Sequence, residues 1–546
     1  MTTATTRRPA GRFLTLTVVG ALLASCGGAA QSASDGGSSE APASSASGGA
    51  TGEITEHVFS VANSNQINTI DPRSAFGTEY RFLQQVYQSL TRIDPNQEET
   101  VQPALALSWE SNEDATEWTF ELRPDVTFHD GSPFNAEAVK LAVEGIQDLG
   151  EGPAYIWDAV TEIEAVDDVT VRFTLDRPAP LDLIAGGVWG SFITCPDASP
   201  QPSEWFDEGN DCGTGPYQIV EYEAGTRVVL HRYDDYWGGW EEGQYTDIVF
   251  DLNEDPASRL QLLTTGEVQT AIDLPFTAID SLESGPDTQA FVYESDTVLW
   301  LMLNSATPPL DDVRVRQALV LSFPYEEVRE LLLDGHGFPL NGYIPGWMFG
   351  LSDFGAQETD MEEAQRLLTE AGYPDGGFTV DYLYRSTLEV YEQIAPVWQQ
   401  AVEPLGITIT PQGVESARFG ELTAKPGPLV TAPDGTYGAI STRWAPSYPS
   451  PLDFYYSMIS SQGEYNYSNI SDEELDEAIA AGEVATAAED KTGAFDDAQA
   501  RALELAPIIP IIGYPTLYGY SSSVVVPDVP NDPFYWVDIY SLRAAE

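Results

Sequence analysis

Four histidines, His57, His129, His231 and His336, are the first places to look for chemistry, and no two stand at metal-ligand spacing. No Gly-x-Ser-x-Gly elbow occurs. Gly213-Thr214-Gly215 has the glycines of a phosphate cradle, but Pro216 follows without an N–H and no long helix opens there. His129-Asp130-Gly131 has the make-up of an acid–base pair. Flanked by Phe128 and Pro133, it reads as a turn after a strand. Carboxylates are so numerous that spacing alone selects no glycosidase pair. The residues therefore offer no catalytic constellation, and no cofactor and no metal are expected.

Three cysteines carry the remaining side-chain chemistry. Arg7, Arg8 and Arg12 head an apolar run from Phe13 to Leu23, and Leu23-Ala24-Ser25-Cys26 follows. That is the layout of a secretory signal, too short to persist as a membrane-spanning helix. The small residues before the thiol resemble a lipobox. Residues 1–25 are then a signal peptide and Cys26 the lipidated N-terminus. The alternatives are an ordinary cleaved signal and, from Thr6-Arg7-Arg8, twin-arginine export. In an oxidising compartment Cys195 and Cys212 are expected to pair, and the chain-entropy model gives about 3 kcal/mol for so short a loop. The alternative is two buried thiols.

Residues 26–53, nearly all Gly, Ala and Ser after Cys26, cannot bury apolar surface and read as a tether. The remaining part, about 490 residues, exceeds one hydrophobic core and implies at least two lobes. The chain of 546 residues has 24 Lys and Arg against 86 Asp and Glu, a net charge of −62. So acidic a surface argues against nucleic acid and anionic lipid as partners. It favours solubility at high ionic strength, where self-repulsion is screened. A melting temperature that rises with added salt is the expected mark of that adaptation.

Helices and strands alternate along the chain, an α/β pattern. Asp255-Pro256 opens a helix that Gly266 closes. Asp360 caps another, with Glu363 placed as in a capping box, and its apolar face runs Ala364, Leu367, Leu368, Ala371 before Gly372 stops it. The alternation from Phe378 to Tyr384 is a strand. Aromatics gather between residues 437 and 470, a composition suited to peptide side chains and sugar rings.

Five segments, in this order, resemble the family 5 extracellular solute-binding proteins of bacterial ABC importers, which bind oligopeptides, dipeptides or nickel. They are the run from Trp118 to Phe134; Gly213-Thr214-Gly215-Pro216-Tyr217; Tyr236-Trp237-Gly238-Gly239; Asn304 with Pro309 and the run from Asp312 to Leu319; and the run from Glu363 to Gly376. The resemblance covers about Val58 to the C-terminus. It implies a two-lobe periplasmic-binding-protein-like α/β fold (class II, cluster C type) with an extra subdomain. Lobe I is then residues 54–93, 213–297 and 520–546, the subdomain 94–212 and lobe II 298–519. The lobes close on the ligand like a hinged clamp. The motifs themselves read as structural: Gly131 and Gly213 as turn glycines of permissive φ, Arg123 and Arg316 as partners of buried carbonyls or carboxylates.

Two segments carry over as ligand-facing. Ala75, Phe76, Gly77 and Thr78 match a stretch that pairs with the backbone of bound peptides as an added strand. Arg443, Trp444, Ala445, Ser447 and Tyr448 match a second, in which Ser447 stands where many peptide-binding relatives hold the ligand's ammonium with an aspartate. A neutral hydroxyl there weakens the case for free-amine peptides. Asp453 is a nearby substitute at the wrong offset. Tyr514 matches a cleft tyrosine. Arg443 suits a ligand carboxylate or an aromatic ring, or else sits at the surface or between the lobes. The expected function is capture of a peptide-like solute by a monomer that delivers it to an ABC permease, with the lipid as its only membrane contact. Rival readings are an oligosaccharide or other uncharged solute, a nickel or metal complex, an extracellular hydrolase, and a chaperone or sensor.

Overall fold

Val298–Leu303, the end of the long strand Thr288–Leu303, is apolar at every position, the mark of a strand covered on both faces. The two faces go to two cores. Leu299, Leu301 and Leu303 enter one with Leu319, Leu368 and Trp398. Val298, Trp300 and Met302 enter another with Tyr343, Phe454 and Phe495. In this computed structural model residues 58–63, 67, 69–94, 101–348, 350–386, 388–423, 431–432, 435–485, 488–526 and 537–545 are described. They belong to one unit, Thr55–Glu546. The signal peptide, Cys26 and the tether lie outside the described residues. Among those residues no helix is long and apolar enough to cross a membrane.

Thr288–Leu303 and Ile508–Ser521 pair antiparallel at the centre of a ten-stranded sheet. On one side follow Ala439–Trp444, Phe378–Arg385 and Ile407–Val414, the last two parallel to each other. On the other follow Thr270–Ala271, Val58–Asn63, Asp247–Leu252, Arg227–Arg232 and Tyr217–Glu223, with Val58–Asn63 parallel to Asp247–Leu252. The fold is thus the two-lobe α/β architecture, with the two long strands passing between the lobes. Their ladder is irregular between Glu294 and Val298.

A separate four-stranded antiparallel sheet is built from Ala106–Ser111, Glu117–Leu122, Thr170–Leu175 and Val160–Asp167, in that order. The helix Ala136–Leu149 accompanies it. Asn135 accepts from the Ala138 N–H at its start, and Gly150, at φ 62°, ends it.

Local signals held where the cap chemistry was explicit. The helix Pro256–Thr264 has Asp255 accepting from the Ala257 N–H. Met361–Glu370 starts where Asp360 accepts from the Glu363 N–H. Only half of that capping box forms, because the Glu363 carboxylate turns to Arg366 instead of back to the Asp360 N–H. Gly131, at φ 81°, is the turn glycine expected. Gly213 is not: what it needs is close approach, since a Cβ there would stand 2.0 Å from the Val86 carbonyl oxygen. His129 shares hydrogen bonds with Asp211 at 2.7 Å and with the Gly215 carbonyl at 3.0 Å, so it ties two of the recognised motifs together. Arg123 donates to the Ala104 carbonyl and lies 4.4 Å from the Trp237 ring; Arg316 donates to the Leu310 and Leu505 carbonyls. Cys195 and Cys212 are joined as a disulfide, with their Cα atoms 5.5 Å apart.

Candidate functional site

A cavity of about 630 Å³ lies over the irregular stretch of the crossing strands. Tyr293 to Thr297 and Tyr514 to Tyr518, facing segments of the two strands, form its floor. Phe76, Gly77, Thr78, Trp189, Arg385, Leu388, Arg443 and Ala445 are in its walls. The size suits an organic ligand of drug-like or short-peptide dimensions.

Of the residues expected to face a ligand, Phe76, Gly77, Thr78, Arg443, Ala445 and Tyr514 line this cavity. Ala75 does not; it is 2% exposed and its N–H goes to the Asp71 carbonyl. The segment 75–78 is not a strand. Trp189 donates to the Gly77 carbonyl at 2.8 Å, and the Arg81 N–H takes the Thr78 carbonyl. Two carbonyls of this segment are therefore engaged within the protein, which narrows the room for an added ligand strand. Phe76 stays half-exposed, edge-on to Trp189.

The second segment divides. Arg443 stands 5.5 Å from the Tyr514 ring, the stacked arrangement among its alternatives. Trp444 lines a smaller chamber next to the cavity. Ser447 and Tyr448 line neither cavity nor chamber. Ser447 is fully buried, and its hydroxyl shares a 2.5 Å hydrogen bond with that of Tyr155, which belongs to the turn Gly152–Trp157 beside the four-stranded sheet. Its N–H donates to Asp453. Burial pushes Asp453 up to about 7, against the opposing pull of that N–H. Asp453 is thus a buried support for the Ser447 backbone and not a cavity wall. Most of the aromatics between 437 and 470 are core: Tyr437, Phe454, Tyr455 and Tyr467 share the core of Trp300, and Tyr448 belongs to another.

Charge in the cavity wall departs from charge in the chain. Acids outnumber cations more than threefold overall, 86 to 24. In the wall four arginines (Arg81, Arg92, Arg385, Arg443) meet four carboxylates (Asp273, Glu294, Asp296, Asp538). Arg81 forms a two-armed pair with Asp273, at 2.8 and 3.2 Å. Burial, the largest single influence, would lower the Arg81 guanidinium, but Asp273, Tyr518 and Tyr80 together outweigh it and the net shift is upward. Burial raises Glu294, whose carboxylate has no hydrogen-bond or ion-pair partner among the described residues. Arg81, Trp189, Glu294 and Arg385 escaped the sequence reading. Their place depends on which strand ends meet at the cleft, and no local spacing records that.

Among the described residues the one grouping of three potential metal-ligating side chains is Asp130, Cys195 and Cys212, and its two sulfurs are bonded to each other.

Two lobes crossed by paired strands, with a cavity over the crossing, define a hinged binding protein. The description "Bacterial extracellular solute-binding proteins, family 5 Middle" matches residues 100–466, and the chain belongs to this family. It is 28% identical over 358 residues to the probable D,D-dipeptide-binding periplasmic protein DdpA of Escherichia coli K12, across 65% of this chain and 67% of that one. It is 24% identical over 496 residues to the periplasmic oligopeptide-binding protein OppA of the same organism, across 83% and 86%. Its fold matches that of the ABC transporter substrate binding protein CtaP from Listeria monocytogenes with a TM-score of 0.79 at 22% identity, covering 90% of this chain and 100% of that one.

Proposed function

We propose that this protein captures a peptide-like organic solute outside the cytoplasm and delivers it to an ABC permease. The observation that carries the reading is the cavity of about 630 Å³ over the crossing strands of a family 5 chain. The relatives named for D,D-dipeptides and oligopeptides support the ligand class. The residues assigned to ligand contact are Phe76, Gly77, Thr78, Arg443, Ala445 and Tyr514, with Arg81, Trp189, Glu294 and Arg385 added from the cavity wall. The protein acts by binding and release, without catalysis, and as a monomer. Lobe I is assigned to residues 54–93, 213–297 and 520–546, its subdomain to 94–212 and lobe II to 298–519. Native mass spectrometry of protein purified from its own host tests the ligand class. A bound mass resolving to a peptide or a peptide conjugate is expected, and a sugar or a metal complex would sink the peptide part.

Anchoring at Cys26 belongs to the same reading. Incorporation of a labelled fatty acid, lost in Cys26→Ser, is the expected result; equal membrane retention of the variant counts against it.

A further inference from the structure

Tyr448 is buried in the core of Phe120, Trp157 and Phe192. Among the described residues it is the only buried member of that core drawn from between Ile272 and Tyr518. Leu452, Phe454 and Tyr455, a few residues on, pack instead in the core of Trp300. One ring is thus inserted from the cover of one core into another. Beside it the Ser447 and Tyr155 hydroxyls share their 2.5 Å hydrogen bond, and Asp453 holds the Ser447 N–H at 3.0 Å. Gly187 comes so near the same backbone that a Cβ on it would stand 2.9 Å from the Ser447 carbonyl oxygen. Arg177 faces Glu483 at 4.0 Å, and the Lys491 charge opposes the upward push of burial on Asp182. Residues 155–187 therefore meet residues 447–491 along one seam.

The seam begins where the cavity wall ends. Trp189 and Ala445 line the cavity, while Gly187 and Ser447, two residues away in each segment, line neither cavity nor chamber. The same holds for Tyr155, Arg177, Tyr448 and Glu483. None of these residues belongs to the two crossing strands, so the seam can part while the long ladder stays paired. We propose that this seam is a latch: contacts of the protein with itself hold the edge of the cavity shut and part when a solute enters or leaves. The inference rests on the proposed hinged capture and its lobe assignment, in which 155–187 falls in the subdomain of lobe I and 447–491 in lobe II. Such a latch sets the resting balance between open and closed forms, and so adds to the affinity for any cargo that the closed form holds. Phe76 links the two: it lines the cavity, and its ring stands edge-on to Tyr155 with 6.4 Å between centres.

Small-angle X-ray scattering of the ligand-free protein and calorimetric titration with a tripeptide library test the latch together. Tyr155→Phe removes one hydroxyl of the pair, and Arg177→Glu sets like charges across the seam from Glu483. Both are expected to enlarge the radius of gyration. Tyr155→Phe should weaken the tightest-binding tripeptide by about five- to tenfold and Arg177→Glu by about threefold. The Arg177→Glu effects should fade at about 1 M salt, where charges are screened beyond roughly 3 Å. Thermal melts show that each variant folds, and a merely structural role would lower the melting temperature without moving radius or affinity. Unchanged radius and affinity in both variants would overturn the latch and leave the peptide reading standing. A weaker tripeptide at unchanged radius would also overturn it, by giving these residues to the ligand. A larger radius with no tripeptide bound by any of the three proteins would keep the latch and remove the peptide reading. An unchanged radius with no tripeptide bound would overturn both.

Discussion

Arg316 and Arg443 are used in opposite ways. Arg316 is 3% exposed and spends its N–H groups on the Leu310 and Leu505 carbonyls, closing the gap between a helix and the end of its neighbour. Arg259 does the same with the carbonyls of Ile272, Asn253, Glu254 and Asp273. Arg443 keeps its donors at the cavity and takes only a ring for support. A guanidinium whose donors are met by backbone is a structural rivet; one held by its face alone is available to a ligand. In so acidic a chain the second kind is the informative one, because any exposed arginine would meet a carboxylate by default.

The contrast breaks most visibly through stability. Arg316→Met should lower unfolding free energy by about 3–5 kcal/mol, since it strands buried carbonyls. Urea unfolding measures this, and ligand selection in the surviving fold should be unchanged. Asp453 sharpens the contrast on the acidic side. Its pKa is higher in the folded chain, about 7, than the ordinary carboxylate value of 3.8, so the native state binds more protons between those values and loses stability as pH rises through them. Asp453→Asn should therefore gain on the parent by roughly 2–4 kcal/mol on going from pH 4 to pH 8, followed by thermal melts across that range. A parallel pH dependence in the two proteins would mean that folding does not raise the Asp453 pKa. Arg81→Met, which leaves Asp273 without its two-armed partner at a partly exposed site, should cost about 2 kcal/mol by the same urea assay. Arg443→Gln comes last: it should shift ligand-free stability by less than about 1 kcal/mol, the worth of its ring contact. A larger loss would place Arg443 with the rivets.

Much of this fold was legible where a residue acts on its immediate neighbours. Asp255 and Asp360 marked helix starts, Phe378 to Tyr384 marked a strand, and Cys195 and Cys212 marked a bond. The site was legible only in part. Phe76 and Arg443 came through position in recognisable segments. Ser447 did not, because what decides its role is Tyr155, which approaches from a distant stretch of chain. Arg385 ends a strand whose reach toward the cleft is set by pairing with Ile407–Val414, a register that no run of residues announces. The need for glycine at 213 has the same origin, a backbone carbonyl from elsewhere in the sequence.

The cavity floor is the flawed part of the crossing ladder, from Glu294 to Val298 against Gly513 to Pro515. Those two strands are also the central pair of the ten-stranded sheet. On the proposed function, a bound solute would rest on the very backbone that flexes if the fold opens there, and its departure would wait on that flexing. Dwell time and grip are then set by different residues: the walls fix how tightly a cargo is held, the ladder defect how often the door opens. Changes at Ser295, whose hydroxyl donates to the Tyr514 carbonyl across the defect, act on the clock more than on the lock.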